Sequence, residues 1–269
     1  MSRAAGTLLG LAVCDALGAP LEFKQRDTYE HIKGMVGGGH FNLKAGTYTD
    51  DTAMALCLAD SLIECNGFNA DDQMKRYVRW YLEGYMSATG QAIGMGKTVW
   101  RALRHYIDTG RHSEPIGKFQ ADGNGSLMRL APIAMFYADD IDAAIKYAGL
   151  SSRTTHNSQE AEDACKYFVA LLVGAINGLG KHELLDGAYG SRPEHHPNIK
   201  RVSQGSYAAL TRSQVKATGY VIDTLEAALW SFNNTETFKA GALLVVNLGG
   251  DADTIGAVYG QLAGAYYGV

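Results

Sequence analysis

Proline is scarce in this chain, 5 in 269 residues, and no run alternates apolar and polar residues for long enough to argue for a sheet. Those two absences exclude a strand-built fold and favour long helices. Cysteine is rarer still: Cys14, Cys57, Cys65 and Cys165 stand apart in apolar contexts without a Cys-x-x-Cys pair. That spacing excludes a disulfide framework and reads as reduced core thiols, the habit of a cytoplasmic protein. There is no basic surplus. With 24 Lys and Arg against 28 Asp and Glu, the net charge of -4 leaves no footprint for a nucleic-acid backbone or an anionic membrane. No apolar run approaches a membrane span by eye, and Leu8–Val13, followed closely by Asp15, lacks the charged lead-in and cleavage site of a signal peptide. Linker-like stretches and solenoid-length repeats are absent too, so one domain over 1–269 is expected.

What is present is glycine, 32 residues, and a 46% hydrophobic share large enough for one substantial core. Apolar residues recur at three- and four-residue spacing around 3–17, 51–65, 70–83, 95–109, 127–148, 157–178, 217–232, 236–247 and 253–267. The segments 24–50, 111–126 and 186–216 show no such pattern, and the last, with Ser191-Arg192-Pro193-Glu194-His195-His196-Pro197, reads as a surface loop. The expected fold is all-α, with function on loops and helix starts.

Two acidic clusters stand out: Thr49-Asp50-Asp51-Thr52 and Gly250-Asp251-Ala252-Asp253-Thr254, each leading into an apolar helical run. Thr49 or Asp51, and Asp253 or Thr254, are expected to cap those helices, whose dipoles tolerate the charge. Capping needs one oxygen, however, and here four carboxylates sit among threonines. Brought together, they would repel and hold protons unless cations lay between them, and such hard oxygen donors suit Mg²⁺ or Mn²⁺. Other turns carry polar residues. Asp15 and Glu22 flank the turn that ends the first helix. Gly37-Gly38-Gly39 precedes the first acidic cluster, where amides approach an anion easily. Asp122-Gly123-Asn124-Gly125-Ser126, opening onto Leu127-Met128-Arg129, reads either as a phosphate or ribose site or as a plain turn and cap. Thr154-Thr155-His156-Asn157-Ser158 starts another long helix, with Ser158 and Glu160 as ordinary capping chemistry.

Taken in order, the glycine run with Lys-Ala-Gly-x-x-Thr-Asp-Asp-Thr, then Gly-Asn-Gly-x-x-Met-Arg, Thr-His-Asn, and Asn-x-Gly-Gly-Asp-Ala-Asp-Thr-x-Gly-Ala resemble the ADP-ribosylglycohydrolase family from about Gly6 to Gly268. The resemblance implies a compact all-α single domain with a binuclear Mg²⁺ or Mn²⁺ centre at the base of an ADP-ribose cleft. It implies metal ligation by Thr49, Asp50, Asp51, Asp251, Asp253 and Thr254, and a catalytic set of Glu22, Asp50, Asp51 and Asp253. Gly94, Gly96, Gly123, Asn124, Gly125, Ser126, His156 and Tyr220 match ligand-contacting segments. The implied reaction is hydrolysis of the bond between ADP-ribose and an acceptor, protein arginine first, on an ADP-ribosylated protein or a small conjugate.

One departure bears on the acceptor. Gly94 stands where arginine-type members carry an aspartate, and Gly94-x-Gly96 is nearer the glycine pair of serine-type members; Cys14 replaces a glycine before Asp15. Slow arginine turnover, a preference for an oxygen-linked acceptor such as serine or acetyl, or Asp122 in the missing role is the expectation, with Gly94→Asp moving turnover toward arginine. Two other classes compete: a non-hydrolytic ADP-ribose-binding module, and a structural protein on the same fold. A haloacid-dehalogenase-type phosphatase needs an α/β domain after its Asp-x-Asp motif, and 15 residues follow Thr254.

Overall fold

Five helices start where a short polar side chain accepts the amide three residues on: Ser2, Asn69, Asp140, Ser158 and Thr237. The computed structural model describes residues 2–113, 121–186 and 189–268; part of the unpatterned segment 111–126 lies outside them. The helices are α1 (Arg3–Gly18), α2 (Asp50–Glu64), α3 (Ala70–Glu83), α4 (Lys97–Thr109), α5 (Ala131–Phe136) and α6 (Ile141–Arg153). After them come α7 (Gln159–Ile176), α8 (Lys181–Leu185), α9 (Pro197–Ser203), α10 (Val221–Asn233), α11 (Phe238–Val246) and α12 (Ala252–Tyr267). Among the described residues there is no strand; the isolated bridges Gly38–Leu43 and Gly123–Tyr220 are the β-type pairings.

The all-α expectation holds, with two local corrections. The periodic stretch 127–148 is not one helix. Pro132, lacking an amide, begins α5, and the Asp140 carboxylate accepts the Ala143 amide and begins α6, so Leu127-Met128-Arg129 is turn. The segment 186–216 is not a plain surface loop either. It holds α9, and Ile199, Val202, Tyr207 and Val215 are buried. Seven residues are too few for a helical period to be read.

The centre of the molecule is the antiparallel pair α1 and α12. A Cβ on Gly10 would lie 2.1 Å from the Gly260 carbonyl, and one on Gly264 would lie 1.9 Å from the Gly6 carbonyl. The register continues in four-residue steps through Cys14 opposite Gly256 to Gly18 against Ala252. Only glycine admits backbones at this separation. Cys14, the departure noted in the sequence, faces a glycine that makes room for it. The pairing also explains an exception to the absence of spans: Arg3–Leu21 is long and apolar enough to cross a membrane, and 67% of its window is buried in the protein. Its apolarity serves contact with α12.

The end of this pair is where the acids meet. Asp15 lies one turn from the C-terminus of α1, Glu22 follows the 3₁₀ turn Ala19–Leu21, and Asp253 enters α12 beside Gly18. The N-terminus of α2 closes on the same point.

Candidate metal centre and cleft

Helix α2 is capped from another helix. Asp15 of α1 accepts hydrogen bonds from the Thr49 amide (3.0 Å) and hydroxyl (2.8 Å) and from the Thr52 amide (3.1 Å) and hydroxyl (2.6 Å). Neither Thr49 nor Asp51 caps it as expected; Thr49 makes no capping bond. At α12 the N-cap Asp251 also makes none, and Asp253 accepts the neighbouring Thr254 amide at 2.9 Å. The carboxylates of both motifs are thereby left free of the duty that would otherwise explain them.

They converge. Ligand atoms of Asp15, Asp51 and Asp253 lie within 4.8 Å of one another, as do those of Glu22, Asp251 and Asp253, so the two groups share Asp253. The Thr49 hydroxyl reaches Asp51 at 3.1 Å. Asp51 Oδ1 and Glu22 Oε2 are buried without any partner, and no ion pair among the described residues involves these acids. Unpartnered buried carboxylate oxygen is costly unless protonated or bound to a cation. An all-oxygen set of this kind fits a hard divalent cation. Asp15 is a poorer ligand than its position suggests, because four threonine donors already occupy its oxygens; it anchors α2.

Electrostatics agree. Burial pushes Asp15 up to about 6 against those hydrogen bonds. Burial, then the charge of Asp251, pushes Glu22 up to about 7. Asp50, Asp51 and Asp253 are driven well above the ordinary carboxylate range, first by burial and then by neighbouring acids. Burial raises Asp251 too, partly offset by the Asn124 amide that donates to its Oδ2 at 2.6 Å. A group that binds protons more tightly when folded adds stability below its unfolded pKa and loses it as pH rises through the folded value. For Asp15 alone that is on the order of 3 kcal/mol. Chelated protein is therefore expected to melt at progressively lower temperature from pH 5 to pH 8, and Mg²⁺ or Mn²⁺ to reverse the loss. A flat or rising melting temperature in scanning calorimetry would contradict it.

Above the acids lies a cleft of about 640 Å³. The first residues of three helices open onto it: Asp50 of α2, Lys97 to Val99 of α4, and the Asp251 to Thr254 approach to α12. Gly94, Gly96, Gly123, Asn124, Gly125 and His156 line it as the sequence suggests. Ser126 does not; it is buried beneath, accepting from Ser152 at 2.8 Å. Tyr220 lines an adjoining hollow with Asp122, Glu160, His196 and Asn198, joined to the cleft through Gly123 and Gly219. There the Tyr220 hydroxyl and the Asn198 amide both donate to Glu160. Asp122 accepts from Ser158 in that hollow and does not line the cleft. The glycine run 37–39 is not in the cleft; Gly39 lies against Pro20.

Buried Arg129 donates to Thr155 Oγ1 at 2.8 Å, that hydroxyl is hydrogen-bonded to His156 Nδ1, also at 2.8 Å, and Nε2 lies beside Gly123 and Gly125. Burial, helped by Arg129, lowers the His156 pKa to about 3, so the ring is neutral at working pH. Asp15, Arg129 and Thr155 hold these side chains in place through hydrogen bonds that no local sequence pattern announces.

Among the described residues, twelve helices and an oxygen-only acid cluster, at the floor of a cleft into which three helix N-termini open, fit a helical hydrolase with a place for a divalent cation. The ADP-ribosylglycohydrolase family profile matches residues 1–269, and the chain belongs to that family. It is 42% identical over 269 residues to the ADP-ribosylarginine hydrolase Tri1 of Pseudomonas putida (strain GB-1), covering all of this chain and 71% of that protein. Identity is 32% over 271 residues to the ADP-ribosyl-[dinitrogen reductase] glycohydrolase of Rhodospirillum rubrum, with coverage of 99% and 86% respectively. A solved structure titled ADP-ribosylglycohydrolase-related protein complex superposes with a TM-score of 0.84 at 43% identity, over 99% of this chain and 88% of that one.

Proposed function

We propose that this hydrolase releases ADP-ribose from arginine side chains of modified proteins, using two Mg²⁺ or Mn²⁺ ions. The observation that carries the reading is the double acid group sharing Asp253 at the floor of a cleft that runs on past Gly123 and Gly219 into a second hollow. The 42% identity to an ADP-ribosylarginine hydrolase supports the linkage.

Thr49, Asp50, Asp51, Asp251, Asp253 and Thr254 would hold the ions, which when bound supply Lewis acidity to the ribose hydroxyls and a nucleophilic water at neutral pH. Asn124 fixes the Asp251 carboxylate, and Asp15 fixes the start of α2. The amide end of α4, whose N-cap Gly96 makes no side-chain bond, receives the diphosphate. With the Thr155 hydroxyl donating to Nδ1, the neutral His156 ring would donate from Nε2 to the same anion. Glu22, with one oxygen free and a pKa near neutrality, accepts a proton from the attacking water or returns one to the leaving nitrogen. The surrounding carboxylates stabilise the oxocarbenium-like charge that develops at the anomeric carbon.

The test is release of free ADP-ribose from arginine-, serine- and O-acetyl-linked conjugates by chelated protein, with and without Mg²⁺ or Mn²⁺. Metal-dependent release from arginine is expected; metal-independent release, or none from arginine, would overturn the reading. His156→Ala is expected to weaken ADP-ribose binding by about 10- to 100-fold. The wild-type affinity should not fall as pH rises through 6–7, where a charged imidazole would be lost; calorimetric titration at pH 6 and pH 8 decides this.

A further inference from the structure

An arginine leaving group is planar and cationic, and the cleft offers it no carboxylate at position 94: Gly94 has no side chain, Asp122 lies in the adjoining hollow, and Glu22, Asp50, Asp251 and Asp253 belong to the acid floor. The cleft does offer an aromatic ring. Phe23 directly follows Glu22, lines the cleft, and is 65% exposed. Its backbone is left-handed, with φ at 64°. That conformation is disfavoured for a bulky residue and is kept where surrounding structure enforces it. Here the Phe23 amide donates to the Gly250 carbonyl at 2.7 Å, and the Gly250 amide donates to the Lys24 carbonyl at 2.8 Å. The ring is thus pinned to the loop that carries Asp251. His40 and Phe41 meet it edge-on, with centroids 5.1 and 6.5 Å away. A rigid ring, buttressed on its flank and open to solvent beside the reacting acids, serves no core.

We propose that Phe23 is the platform on which the acceptor guanidinium stacks, and that it sets preference for arginine-linked substrates in place of the carboxylate that position 94 lacks. The proposal rests on the arginine reading above. A guanidinium is weakly hydrated and flat, and it binds an aromatic face better than a neutral hydroxyl acceptor does. Phe23 directly follows Glu22 at the acid floor and lines the cleft, not the hollow of Tyr220, which places the ring on the acceptor side of the reacting bond.

The experiment uses Mg²⁺-loaded enzyme with Phe23→Ala, Phe23→Gly and Phe23→Tyr. Phe23→Gly removes the ring and also relieves the left-handed backbone, so it keeps the test intact where Phe23→Ala folds poorly. Both ring-deleting variants should raise KM for ADP-ribosyl-arginine by about 3- to 30-fold. The dissociation constant for free ADP-ribose should stay unchanged, and Phe23→Tyr should recover most of the affinity. Weaker binding of free ADP-ribose would assign the ring to the nucleotide and overturn the proposal, as would an unchanged KM on arginine conjugates. A wild type inert on arginine conjugates overturns the parent reading and the platform together, whereas an active wild type with an indifferent Phe23→Gly overturns the platform alone.

Discussion

An Asp253→Asn enzyme is expected to lose ADP-ribose release on the order of 10³-fold, while its metal-free form melts higher than that of the wild type. Asp253 belongs to both acid groups and is 2% exposed. Asparagine keeps the volume and the oxygen that accepts the Thr254 amide, so packing is preserved. What disappears is one of several mutually repelling charges, whose burial and neighbours Asp51, Glu22 and Asp251 all disfavour ionisation. The metal-free variant is relieved of that repulsion as rising pH ionises the acids of the cluster. Added Mg²⁺ should then reverse the ranking, because a cation stabilises whatever fold binds it in proportion to affinity and the variant has lost its shared ligand. Thermal melts with chelator and with Mg²⁺, beside turnover assays, give a crossing pair of curves. Activity within about tenfold of wild type would remove Asp253 from the centre of the mechanism.

The second large effect reverses a sequence-based expectation. Gly94→Asp is expected to damage hydrolysis of every linkage, where the sequence suggested a gain toward arginine. Gly94 has φ of +83°, and a Cβ there would fall 2.2 Å from Asp50 Oδ1. The position is glycine because the Asp50 carboxylate occupies the space. A side chain must strain a left-handed backbone and displace a buried acid, together about 2–6 kcal/mol, or some 5–15 °C in Tm. Asp50 moves with it, so turnover should fall at least about 100-fold on arginine and serine conjugates alike. Gly94→Ala should reproduce much of the loss, because the first carbon already collides. A folded Gly94→Asp enzyme that gained on arginine would show the clash to be absorbed elsewhere.

These two residues mark how far the sequence could be read. The acid motifs were legible because carboxylates in such number exceed what capping consumes, and helical periodicity gave most helices to within a few residues. Asp15 flanks a turn, and nothing local says that an acid near the end of one helix will cap another some 35 positions on. Gly94 was read by what it lacked, when its meaning lay in a neighbour 44 positions earlier. The glycines at four-residue steps in α1 and α12 were visible, but each series looks like mere small-residue composition until the two are set antiparallel. The buried segment around Ile199 escaped because a seven-residue helix shows no period. In each case the missing term was a contact between distant parts of the chain.

That innermost contact has a consequence for how the protein is made. Gly6 touches Gly264 across 258 positions, so α1 leaves the ribosome long before the helix it packs against. Until α12 emerges, α1 is an apolar helix with no partner and Asp15 is an acid without its assembly. Contacts of such long sequence separation are the slow ones to form, and exposed apolar intermediates are the ones that aggregate. The core of this enzyme is therefore expected to close only after α12 has been synthesised, since α1 packs against it through most of its length.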